Sequence, residues 1–181
     1  MPNDILDNVA LVIAAAAVAV LALLFAGLIG ARHGRGTRAV LWTALLLWLL
    51  VIAVATLGST VSSHYAGPRG LSLVPFQEIE RGLTNARGSN PWINLVGNVA
   101  LFVPFGLLVA ALVKARFVGR VATALLLGVL LSASIEVAQY VLGRVADIDD
   151  VILNGAGALA GGIVGAIVAA IVVGARARTL R

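Results

Sequence analysis

The chain has no cysteine among its 181 residues, which removes disulfides and thiolate metal sites from its chemistry. It has only two histidines, His33 and His64, and they fall in separate flanks, so an imidazole zinc cage is not expected. Charge is also scarce, at 12% of residues, and aromatic side chains make up 6%. Hydrophobic residues fill that space. They account for 61% of the chain, with a mean hydropathy of +1.05. An ordinary soluble domain is about 45–50% apolar. Runs of about 20 apolar residues recur, the length needed to cross the hydrocarbon core as a helix. Composition therefore predicts an all-α fold: a polytopic transmembrane helical bundle, forming one membrane domain over residues 1–181.

Five spans are expected, at about 9–29, 39–58, 92–113, 121–142 and 150–173. Residues 1–8 are acidic (Asp4, Asp7), whereas a secretory signal starts with a cationic segment, so the first span is expected to stay attached. An outer loop over 59–90 separates the second and third spans. Gly67-Pro68-Arg69-Gly70 within it is turn chemistry. After Pro75, the residues Phe76, Ile79 and Leu83 recur at three- and four-residue spacing. That stretch reads either as one or two turns of helix lying on a membrane surface or as an ordinary loop. Asn90-Pro91-Trp92 is a helix start, with Asn as cap, Pro in the first turn and Trp at the interface. Pro104 and Gly106 predict a kink inside the third span. In the fifth, Gly157, Gly161 and Gly165 form one small face, and Ala158, Gly162 and Ala166 another. Such faces suit close helix packing, within the chain or across a dimer seam.

The pI of 11.1 could suggest nucleic acid, but the charges are sorted by topology. The flanks 31–38, 114–120 and 174–181 hold nine of the thirteen basic residues and no acid. The other side holds Arg69, Arg81, Arg87, Arg144 and all eight acids. The positive-inside rule then places the amino terminus outside and the carboxyl terminus in the cytoplasm, which an odd number of spans requires. The basic residues are expected to meet anionic lipid, not nucleic acid.

The exception to the greasy pattern is Ser132–Asn154, SASIEVAQYVLGRVADIDDVILN. The helix rise of about 1.5 Å per residue puts Glu136 and Asn98 roughly 9 Å, and Asn154 roughly 6 Å, below the outer edge of their spans. Asn94 and Asn98 share a helix face, as do Glu136, Gln139 and Tyr140, and Asp147, Asp150 and Asn154 align if their helix starts near Asp147. A carboxylate in hydrocarbon costs at least about 2.5 kcal/mol, so it normally faces a cavity or a partner. The expectation is a polar pocket open to the outer face, with Glu136 at its floor and Arg144, Asp147 and Asp150 at its rim. Plainer readings exist for most of these residues. Asn94 and Asn98 could be explained by interhelical hydrogen bonds. Asp147 reads as an N-cap, Asp150 as a first-turn acid and Arg144 as an ion-pair partner. Asp149 is expected to face water, and Ser132 and Ser134 to be small packing residues. Glu136 has no such account from helix propensity.

NLVGNVALFVPFG (Asn94–Gly106), SIEVAQ (Ser134–Gln139) and RVADIDDVILNGAGALAG (Arg144–Gly161), in that order, resemble the VanZ-like family. SLVPFQEI (Ser72–Ile79) is similar to that family's extracytoplasmic loop. The resemblance covers about 71–166. It implies a small multi-pass protein of the bacterial cytoplasmic membrane, from a family named for a glycopeptide resistance component that lowers susceptibility to teicoplanin. The family's polar positions fall here on Asn94, Asn98, Glu136, Gln139, Arg144, Asp147, Asp150 and Asn154. Two functions compete. One is binding of an amphiphile, a lipid-linked cell-wall precursor or a lipoglycopeptide, with Arg144 contacting phosphate or carboxylate and the acids and amides contacting sugar hydroxyls or ammonium groups. The other is a membrane-embedded hydrolase or transferase, with Glu136 as general acid or base and Asp147 and Asp150 holding Mg²⁺. Transport ranks last. No cofactor is expected, and membrane lipids are the expected surroundings. The oligomeric state stays open.

Overall fold

The computed structural model describes residues 36–62 and 70–179, besides the isolated position 23. The span expected at about 9–29, the basic turn up to residue 35 and the turn at 67–69 lie outside them. Two compact units divide after Leu47. Apart from position 23, the described residues of the first unit are the opening turns of helix α1 (Gly36–Ser62). The second unit begins at Trp48 and contains the rest of α1 and all that follows. Its elements are strand β1 (Gly70–Ser72), the short helix α2 (Gln77–Thr84), helices α3 (Asn90–Leu112) and α4 (Phe117–Val141), strand β2 (Val145–Asp147) and helix α5 (Ile148–Thr179). The class is all-α, as composition implied. Among the described residues, α1, α3, α4 and α5 are long and apolar enough to cross a membrane. Their 18-residue windows reach mean hydropathies of 2.1 to 2.5, so the chain is a multi-pass membrane protein.

Each long helix has a reason to start or stop where it does. Pro91 sits in the first turn of α3, where a missing N–H costs nothing. The helix begins at Asn90, with Ser89 in the capping position, one residue earlier than the sequence suggested. It continues through Pro104 to Leu112. At the far end of α3, the Arg120 guanidinium donates to the carbonyls of Ala110 (2.6 Å) and Ala115 (2.9 Å), which closes the turn into α4.

The small residues of α5 decide how closely α3 and α4 approach. Gly157, Gly161 and Gly165 lie against the backbone of α3; a Cβ on Gly161 would overlap the carbonyl oxygen of Val103. On the neighbouring face, Gly162 meets Ala124 of α4, where an added Cβ would sit 2.8 Å from the alanine methyl. Ala158, fully buried, fits into the gaps left by Gly106 and Gly128. Both small faces of α5 are thus spent on packing within the chain. Phe102 and Phe105 of α3 tilt against each other with ring centroids 5.9 Å apart, and Phe102 is fully buried. Trp48 of α1 donates its indole N–H to the Leu101 carbonyl at 2.8 Å, giving that polar group a partner in an apolar setting.

The loop between α1 and α3 folds back onto the α4–α5 turn. Strand β1 pairs in parallel with β2, Gly70 opposite Val145 and Ser72 opposite Asp147. Helix α2 follows, so the stretch left open between helix and loop contains two turns of helix. Gly82 packs it onto Leu95 and Pro91. Leu71, Leu73, Val74, Phe76 and Leu83 remain exposed.

Candidate binding site

The site is built where α4 hands over to α5. Helix α4 ends in a Schellman turn. Gly143 adopts φ 95°, a conformation that favours glycine. Its N–H donates to the Tyr140 carbonyl (3.0 Å), and the Arg144 N–H donates to the Gln139 carbonyl (2.9 Å). That geometry returns Arg144 beside Gln139. Both side chains then reach one acceptor on α1: the Thr56 carbonyl receives Gln139 Nε2 at 2.9 Å and an Arg144 guanidinium N–H at 3.3 Å.

Strand β2 follows, and its last residue is fixed by the preceding helix. Glu136, 7% exposed, accepts the Asp147 backbone N–H on Oε2 at 2.7 Å. Asp147 in turn caps α5, because its Oδ1 accepts the Asp149 N–H at 2.9 Å. One turn into α5, Asp150 Oδ1 accepts from Asn98 Nδ2 at 2.6 Å and from Asn94 Nδ2 at 3.3 Å. The Asn94/Asn98 face of α3 is thereby tied to the first turn of α5. Asn154, one turn deeper and 2% exposed, donates to the Ser132 hydroxyl at 2.8 Å. Its Oδ1 is buried with no donor.

These groups surround a cavity of about 430 Å³. Seven of the eight residues singled out in the sequence line it: Asn94, Asn98, Glu136, Gln139, Arg144, Asp150 and Asn154. Asn90, Thr56 and Gly97 complete the polar part of the wall. Nothing stands within 4 Å of where a Gly97 Cβ would be, so that glycine leaves the cavity open. Asp147 lies elsewhere. It lines a second cavity, of about 240 Å³, with Leu71, Leu73, Val137, Tyr140 and Val151. Glu136 is in the wall of both cavities. Its neighbours divide accordingly: Gln139 faces the polar cavity, whereas Val137 and Tyr140 face the apolar one.

Asp149 corrects the sequence reading. It was expected to face water, but it is fully buried. Its carboxylate accepts the backbone N–H groups of Phe76 (2.6 Å), Glu78 (2.7 Å) and Ile79 (3.3 Å). The start of α2 has no cap of its own, since Phe76 occupies that position with φ 71°. An acid some 70 residues away in sequence supplies the missing acceptor. Phe76 at a positive φ is costly for a bulky side chain, and the Asp149 bond helps to hold it there. A helix whose cap position holds phenylalanine needs an acceptor from elsewhere, and that was the available signal.

Ser132 does more than the packing expected of it. It is fully buried as a packing residue would be, but its hydroxyl also accepts the Asn154 amide. Ser134 instead bonds within its own helix, to the Leu130 carbonyl. The Thr56 contribution is a backbone carbonyl, which no side-chain pattern could announce. The two proposed cation ligands are separated in role, Asp147 as a cap and Asp150 as the acceptor of two asparagines, and they line different cavities. Among the described residues, no three His, Cys, Asp or Glu side chains are grouped so as to hold a metal ion.

Compared with known proteins, residues 39–170 match the family model described as VanZ/LLP1. No curated protein and no solved structure matches the chain.

Proposed function

The chain belongs to the VanZ/LLP1 family, and from there we propose that it binds an amphiphile of the bacterial envelope, the head in the polar cavity and a hydrocarbon arm in the apolar one. The observation that carries this reading is the position of Glu136. A single buried carboxylate stands in the wall between a cavity rich in amides and acids and a cavity lined by leucine, valine and tyrosine. A ligand with a polar end joined to an apolar end fits that pair of spaces. The exposed side chains of Leu71 and Leu73 extend the apolar side toward lipid. The basic residues at the opposite ends of α3 and α4, Lys114, Arg116 and Arg120, support an orientation with that end in the cytoplasm. The polar cavity then opens on the outer side of the cytoplasmic membrane, where lipid-linked cell-wall precursors and lipoglycopeptides are met. A contribution to lowered glycopeptide susceptibility follows from sequestering such a molecule.

The cation-dependent hydrolase has less support, because its two proposed metal ligands serve separate structural bonds. The test of binding is steric. Gly97→Leu places a side chain in the open space of the polar cavity without removing any hydrogen bond. Lipid-resolved mass spectrometry of the purified protein should find an amphiphile that the wild type retains and Gly97→Leu loses. Equal retention by both would overturn the reading.

A further inference from the structure

Among the described residues, the polar cavity offers more unpaired acceptors than donors, and that points to its ligand. Three of its amides have fixed orientations. Asn94 and Asn98 meet the Asp150 carboxylate, which only accepts, so each must turn its NH₂ toward it. Gln139 meets the Thr56 carbonyl, which also only accepts, so its NH₂ is committed in the same way. The oxygens of these three amides have no donor among the described residues. One oxygen of each acid is in the same position, since among the described residues Glu136 bonds through Oε2 and Asp150 through Oδ1. The deepest group adds an independent sign. Asn154 is 2% exposed and lines the cavity, and its Oδ1 has no hydrogen-bond partner.

Charge points the same way. Among the described residues that line the cavity, two carboxylates, Glu136 and Asp150, stand with one guanidinium, Arg144. An anionic head would meet this wall with like charge and unpaired lone pairs, both costly away from bulk water. A head that carries N–H donors and positive charge would satisfy them.

We propose that the head taken by the polar cavity is a primary ammonium, held between the Asp150 and Glu136 carboxylates with the amide oxygens of Asn94 and Asn98 beside it. The inference rests on the binding reading above and narrows it. Of the head contacts the sequence left open, it keeps an ammonium at the acids and sets aside a phosphate or carboxylate at Arg144. Arg144 is a positioning residue, holding the Gln139 end of the wall against α1.

The probes are hexadecylamine and hexadecyl phosphate, which share a chain and differ in the sign and donors of the head. Each is titrated onto the full chain in nanodiscs of zwitterionic lipid, and bound probe is counted by native mass spectrometry. Wild type should favour the amine by about tenfold or more, the scale of one charge-assisted contact. Asp150→Asn keeps an acceptor for Asn98 and should erase most of the preference; Glu136→Gln, which keeps an acceptor for the Asp147 N–H, should do the same. Gly97→Leu should reduce binding of the amine itself. A preference for the phosphate, or an amine preference unchanged in both acid variants, overturns the ammonium assignment. If the phosphate is preferred and Gly97→Leu removes it, the binding reading survives and only this inference fails. If Gly97→Leu changes neither probe, both fail.

Discussion

The Glu136 carboxylate accepts the backbone N–H of Asp147 at 2.7 Å, so the acid between the two cavities also pins the strand that leads into α5. The structural bond and the proposed binding therefore fall on one side chain, and substitutions can separate them. Glu136→Ala leaves the Asp147 N–H without an acceptor in a half-buried position and should destabilise the protein by about 1–3 kcal/mol. Glu136→Gln retains an acceptor and should unfold near the wild-type midpoint. Unfolding in detergent micelles measures both. Equal midpoints for the alanine variant and the wild type would show that the bond contributes nothing to stability.

Asp149 couples the loop to the bundle. Replacing it with alanine removes the acceptor of three backbone N–H groups at the start of α2. The local cost should be about 3 kcal/mol or more, because each bond is to a charged group. Helix α2 should then open while α3, α4 and α5 stay folded. Trypsin cleavage after Arg81 and Arg87, both exposed, reports this directly. Faster cleavage is expected in Asp149→Ala, with Asp149→Asn between it and wild type. An unchanged rate would mean that the β1–β2 pairing and the Gly82 contact hold the loop without the cap.

Much of this arrangement was legible because membrane helices obey few rules. Hydropathy located the four described spans to within a few residues, except that α5 runs on to Thr179, where the arginine-bearing tail was expected to be outside the helix. Helical spacing brought Asn98, Glu136 and Asn154 to one level, and the structure puts all three in one cavity wall. The same reasoning misplaced Asp149, since distance from the apolar core along one helix says nothing about a loop folding over it. It also put Asp147 at the polar rim, whereas the bonds to the Glu136 carboxylate and the Asp149 N–H draw it to the apolar side. Long-range pairing of β1 with β2 decides both outcomes, and three-residue strands leave almost no periodic signature.

The packing of α5 makes a prediction about which glycines matter. Gly161→Ala drives a methyl into the Val103 carbonyl and should cost about 1–3 kcal/mol or more, because α3 and α5 must separate. Gly97→Ala meets open space and should be neutral or mildly stabilising, as alanine is the better helix former by up to about 1 kcal/mol. Thermal midpoints of the two variants, measured in the same detergent, should move in opposite directions or differ clearly in size. Equal shifts would indicate that the α3–α5 approach is looser than the structure has it.

Drug susceptibility provides the test in the cell. A host lacking a related protein should become less susceptible to teicoplanin when it expresses the wild type. Gly97→Leu and Asp150→Asn should lose the effect at unchanged membrane levels, the first by filling the cavity and the second by removing one of its charges. Lys114→Ala is the control. Lys114 lies in the turn between α3 and α4, at the other end of α4 from the cavity. It should keep the effect. If all four proteins protect equally, protection does not pass through the cavity. If none protects although the purified wild type retains an amphiphile, binding serves an envelope role other than glycopeptide resistance, because the physical case for the cavity does not depend on which amphiphile the host supplies.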